Sequence, residues 1–321
     1  MSKKKTKKHK LGEIKIMLRQ AENRVRIEGI LSEINLKYGS YQKNGRTVDN
    51  IGGDIKVLVK QEINGEQKDF IIPVYMFAAK YTNAGKPNPA YTSIETVMKE
   101  YISIAACGSE AAADKIRITN GDIRMNEYYN AQGNLVSFPR VNASFVNKAT
   151  GEFRPEASWS LEFAVSSMDF VTDADGVEVE PRKLRIKILV PQYGGRLDTM
   201  ELYATNPRVI DAITSYWETQ KTYSAKGRLN FTSVTTQVIE EMDFGEPEVH
   251  VRTTTVSELI VTKGTQSPLE DEMAFAPADL AAALKEHKAA LEALKDKTNN
   301  KTKNTPAPAG ASAHEAFDLG F

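Results

Sequence analysis

The chain has 321 residues, 41% of them hydrophobic, and its 42 Lys+Arg are balanced by 42 Asp+Glu; that is enough to bury a sizeable core in two ordinary domains and a tail. The single cysteine, Cys107, excludes an internal disulfide and a cysteine zinc site, and fits a reducing cytosol. No apolar run approaches the roughly 18 residues of a membrane span, and the charged LGEIKIMLRQ after the basic N-terminus does not read as a signal peptide, so a cytoplasmic protein is expected.

The charge is unevenly placed. Residues 1–19 carry eight Lys/Arg against one acid, Glu13, and residues 265–321 carry six Lys against nine Asp/Glu. A basic flexible arm (1–19) and an acidic tail around a mixed body suit a nucleic-acid reader, since lysines that neutralise phosphates release counterions.

In chain order, Val25–Tyr38 reads as a long first strand whose alternation slips near Gly29, and a glycine inside a strand often marks a bend or bulge. A loop rich in Tyr, Lys, Asn and Gly follows, with Asn44-Gly45 and Gly52-Gly53 as turn signals. Residues 54–63 and 68–77 form the next two strands around an Asn64-Gly65 hairpin turn, with Pro73 marking an edge or bulge. Helical spacing of Ile94, Val97, Met98 and Tyr101 predicts a helix over 92–104, capped by Thr92 with Glu95. Residues 115–129 are a strand or a hairpin around Asn120-Gly121, and 135–146 a fifth strand.

The same parts then recur. Ser160–Asp173 echoes the first strand, 183–190 alternates cleanly, 196–205 is a third strand, and Asn206-Pro207 opens a helix to about Gln220. Residues 222–231 form a strand around Gly227, and 249–263 a closing strand. Ile27, Leu31, Ile34 and Leu36 match Leu161, Val165, Met168 and Phe170 at a spacing of 134; Ile94, Met98 and Tyr101 match Val209, Ile213 and Tyr216 at 115; Gly121 and Ile123 match Gly227 and Leu229 at 106. The repeat predicts an all-β protein with minor α content: two five-stranded barrels in tandem (20–150 and 156–265), each with one helix, and a tail (266–321). In the tail, 277–297 reads as a helix with leucines in a stripe and 298–313 as disordered.

No His, Cys, Asp or Glu cluster stands at metal or catalytic spacing, so no metal, cofactor or enzyme activity is expected. Basic side chains interleaved with aromatics on strands carry the functional signal, because cations follow a nucleic-acid backbone while rings stack on bases. The candidates in the first half are Tyr38, Tyr41, Lys56, Arg117, Arg124, Tyr128, Tyr129, Phe138 and Arg140. In the second half they are Lys183, Arg185, Lys187, Tyr223, Lys226, Arg228 and Phe231. At the C-terminus, Glu315, Phe317, Asp318, Leu319 and Phe321 form an acidic, aromatic tip suited to docking in a basic-rimmed pocket of a partner.

A tandem strand–helix–strand barrel followed by a spacer and an acidic tip ending in phenylalanine resembles the OB-fold single-stranded DNA-binding proteins, most of all those of bacteriophages. The resemblance implies OB-like barrels that coat single-stranded DNA without sequence preference, and a tip that recruits replication and recombination proteins. It places the protein in a host cytoplasm. A virion or scaffold protein of β-barrels, or an RNA binder, would share the composition.

Overall fold

The computed structural model describes residues 18–63, 65–130, 132–240 and 248–303. The basic arm to residue 17 and the whole C-terminal tip, Glu315 to Phe321, lie outside the described residues.

Among the described residues, eleven strands form one continuous mixed sheet rather than two separate barrels. They are β1 (Asn23–Lys43), β2 (Arg46–Ile63), β3 (Glu66–Ala79), β4 (Lys115–Tyr129), β5 (Leu135–Asn142), β6 (Asn147–Lys148), β7 (Glu156–Phe170), β8 (Leu184–Pro191), β9 (Leu197–Ala204), β10 (Thr222–Glu240) and β11 (Glu248–Gly264). The pairings close on themselves twice. β1–β2–β3–β5–β4 returns to β1 as a first ring, and β7–β8–β9–β11–β10 returns to β7 as a second. Both rings close through a short parallel contact, Val74–Tyr75 on Val141–Asn142 and Leu202–Tyr203 on Leu259–Ile260. Antiparallel pairing of β1 with β7, from Asn23↔Leu161 to Glu28↔Glu156, fuses the rings. Their interiors form one apolar core running from Val25, Ile27 and Leu31 to Trp159, Phe163 and Leu202.

The two first strands bulge at matching places. The β1–β2 register slips between Leu31 and Glu33, and the β7–β8 register between Val165 and Ser167, the same spacing of 134 that the side chains show. The bend expected at Gly29 therefore falls at Ser32, and its counterpart in the second first strand at Ser166. Gly29 instead marks a close approach, since a Cβ there would lie 2.5 Å from the Leu58 carbonyl oxygen. Gly52-Gly53, expected as a turn, lies inside β2, where Gly53 has φ +142 and a Cβ would meet the Asn35 carbonyl oxygen at 2.0 Å. The β1–β2 turn is Asn44-Gly45, both with positive φ (51 and 73), as a primed hairpin turn requires. β4 runs unbroken through Asn120-Gly121.

α1 (Pro89–Glu100) and α3 (Pro207–Tyr216) each follow an Asn N-cap and begin on Pro. α1 starts three residues before the expected position, because the Asn88 carboxamide accepts the Ala90 N–H (3.1 Å) as Asn206 accepts Arg208's (3.0 Å). The buried pairs are Ile94 with Ile210 and Val97 with Ile213, and the C-caps are Tyr101 and Trp217. The true helix spacing is thus 116, one more than the sequence match at Tyr216 gave. After the short α2 (Ile104–Cys107), the last element is α4 (Pro277–Lys303), longer than expected. Its start is fixed by Phe275, whose N–H donates to Thr222 Oγ1 (2.8 Å) and whose ring lies 4.5 Å from the Arg19 guanidinium. No described helix is long and apolar enough to cross a membrane.

Candidate nucleic-acid interface

Strand alternation builds the site. In β3, Phe70, Ile72, Val74, Met76 and Ala78 turn into the core, which leaves Ile71, Pro73, Tyr75 and Phe77 on the outer face. Phe77 lies over Gly52 of β2, where a Cβ would come within 2.9 Å of the ring, so the glycine lets the ring lie flat on the sheet. Tyr41, from the β1–β2 hairpin, stands 6.3 Å from Phe77, tilted by 41°. The parallel contact sets β5 beside Tyr75, and the Arg140 guanidinium rests 4.0 Å over that ring. Burial pulls the Arg140 pKa below the ordinary guanidinium value. Opposite it in register, Arg124 is half exposed and paired with Asp122 (2.9 Å).

These side chains line one cleft of about 970 Å³. Lys37, Tyr38, Tyr41, Tyr75, Phe77, Arg124 and Arg140 line it from the first ring, the turn from Gln192 to Asp198 from the second, and Ala283 to Leu294 from α4. Tyr38 donates its hydroxyl to Glu95 of α1 (2.6 Å), which raises the phenol pKa.

At the junction of the rings, Asp198 accepts the Met125 N–H (3.2 Å) and the Gln192 side chain (3.1 Å); burial raises its pKa to about 6. Beside it, His287 of α4 sits 3.3 Å from Glu127, and that hydrogen bond raises the imidazole pKa. No histidine had a partner by sequence spacing; this one comes from an element 160 residues away in the chain.

The sequence candidates fall into three groups. Tyr38, Tyr41, Arg124 and Arg140 come together in the cleft. Tyr128 and Phe138 are exposed on β4 and β5 but do not line it, and Tyr129 lies 6.0 Å below Lys295 of α4. The rest lie away from the cleft. Arg117 makes a bidentate pair with Glu28 (2.8 Å twice), whose carboxylate is buried and held well below the usual range by that guanidinium. Lys56 pairs with Glu33 (2.6 Å).

Tyr223 and Phe231 are corrections. Both are core residues, with 0% and 2% exposure, and leave no face for a base. Tyr223 stacks on Trp217 (5.1 Å), and its hydroxyl accepts the Glu218 N–H (2.9 Å). Arg228 is half-buried with its Nε unpartnered, Lys187 is half-buried on β8, and Lys226 is exposed.

The second ring's equivalent face is neutralised. Tyr203 occupies the place of Tyr75, but Glu258 and Asn230 stand where the first ring has Arg140 and Arg124. Lys183 pairs with Glu258 and lies 4.6 Å over Tyr203, Arg185 pairs with Asp169 (2.8 Å through Nε), and the Tyr203 hydroxyl donates to Glu201 (2.6 Å). Sequence reading missed Tyr75, Phe77 and Asn142, although the alternation of β3 marks the first two as outward.

The model of the YorF family matches residues 21–297. No curated protein matches the chain. Among solved structures, the wild-type single-stranded DNA binding protein from Thermus aquaticus is 12% identical, with a TM-score of 0.48 over 79% of this chain and 96% of its own. A deletion variant of that protein gives 14%, 0.48, 78% and 97%. A replication protein A heterotrimer bound to single-stranded DNA is 8% identical, with a TM-score of 0.22 over 74% of this chain and 49% of that one.

Proposed function

The chain belongs to the YorF family, and we propose that it binds single-stranded DNA in the cleft over the first ring. One observation carries the reading: Tyr75, Phe77 and Tyr41 present rings on a single face, with Arg140 lying over one of them and Arg124 beside it. Unpaired bases offer π-faces to such rings whatever their sequence, while arginines take the phosphates. A duplex hides those faces in its stack, so the face selects single strands.

In this reading each ring is an OB-like barrel, the first (20–150) binding and the second (156–265) bracing it. The protein acts without enzyme activity, coating single strands during replication or recombination in a host cytoplasm. The C-terminal tip recruits partner proteins.

Fluorescence anisotropy with oligo-dT, oligo-U and a duplex, at two salt concentrations, tests it. Tight binding to dT, weaker binding to U and to duplex, and a log K against log salt slope of about −0.7 per neutralised phosphate are expected. No binding to any single strand at low salt favours a scaffold protein, and a preference for U makes it an RNA binder.

A further inference from the structure

α4 crosses from the second ring to the first and packs on β9 and β4. Leu280 and Ala283 are buried, and His287 pairs with Glu127 one turn on. Beyond that point the same helix face carries Ala290, Leu291 and Leu294. These line the cleft instead of sinking into the core: Leu291 is half-buried and Leu294 is 40% exposed. Ala290, Leu291 and Leu294 thus share the lining of one cleft with Tyr38, Tyr41, Tyr75 and Phe77, an apolar and aromatic surround suited to a flat hydrophobic group.

Building on the proposed function, we propose that α4 is the second wall of the DNA site, gripping bases between Leu291 and Leu294 on one side and Tyr75 and Phe77 on the other. The occupant is a single strand because the facing wall holds the rings and arginines already assigned to it, and the cleft is continuous between the two walls. Bases buried from both sides lose more apolar surface to water than bases stacked on one ring, and tighter binding follows. Because the leucines meet bases and not phosphates, they set affinity without altering its salt dependence.

The test is anisotropy with an oligo-dT on the full chain. Leu291→Ala with Leu294→Ala is expected to weaken binding about tenfold with an unchanged salt slope, and Glu292→Ala, exposed on α4, to leave it unchanged. Leu294→Trp is expected to tighten binding several-fold, with the new indole quenched on saturation. It keeps the proposal falsifiable if the double variant loosens the helix, which far-UV circular dichroism would reveal. Affinity equal to or above that of the unaltered chain for the double variant, with its helix intact, overturns the proposal. So does an indole that dT does not quench. If the unaltered chain itself fails to bind dT, the reading of the whole cleft falls with it.

Discussion

Arg117 shows how a basic side chain on a strand can belong to the fold. Its fork closes on Glu28, which also accepts the Arg154 N–H (3.0 Å), so one buried carboxylate ties β1 to β4 and to the approach to β7. Removing one partner leaves a buried charge unpaired. Arg117→Ala is therefore expected to lower the midpoint of a denaturant unfolding series, while the folded variant keeps its affinity for oligo-dT; lost affinity with unchanged stability would return Arg117 to the interface. Gly227 is a second residue under tight constraint. A Cβ there would meet the Ile260 carbonyl oxygen at 1.9 Å and the Trp159 ring at 2.4 Å. Gly227→Ala is expected to destabilise by about 3 kcal/mol or more, read from the same unfolding series. The reason such roles escape a sequence is distance: Arg117 and Glu28 are 89 residues apart, Lys183 and Glu258 are 75. Alternation marks a cation as outward but says nothing of the carboxylate that meets it.

Among the elements, strands were the most legible, because a period of two survives in any context. The match of 134 between first strands reappears in the two bulges, and Gly121 and Gly227 sit opposite Val25 and Trp159, themselves 134 apart. The helix match slipped by one residue, since Tyr101 and Tyr216 are alike in type while the cap geometry pairs Tyr101 with Trp217. The placement of α4 was not legible at all: a leucine stripe shows that a helix packs, not on what. Its seat carries a pH dependence. Asp198 is raised from 3.8 to about 6 by burial, and His287 is raised by Glu127. A raised folded-state pKa contributes stability at low pH that is lost as pH climbs through the raised value. Facing these two groups are Glu127, Arg124 and Gln192. Between about pH 4 and 7 the junction should weaken, and Asp198→Asn should raise the thermal midpoint by a few degrees at pH 8 while changing little at pH 4. Equal shifts at both pH values would contradict this.

At the scale of the whole molecule, one ring plan is repeated with different outer faces. The first ring lines an open cleft with aromatic rings, Arg140 over Tyr75 and Arg124 paired to Asp122; the second holds Glu258 and Asn230 at the places of those two arginines, and pairs Lys183 with Glu258 and Arg185 with Asp169. Net charge, balanced over the chain, could not reveal this asymmetry. Joined through the β1–β7 pairing, the second ring brings α4, packed on β9 and β4, and the Gln192–Asp198 turn to the cleft of the first. The central claim is that single-stranded DNA lies on the first ring's face. The most direct measurement compares dissociation constants for one oligo-dT across two sets of variants. Tyr75→Ala and Phe77→Ala should each weaken binding by about 1–3 kcal/mol, whereas Lys183→Ala and Arg185→Ala should stay within about 0.5 kcal/mol of the unaltered chain. The reverse pattern, with the second ring's lysine and arginine carrying the affinity and the first ring's aromatics carrying none, would contradict it.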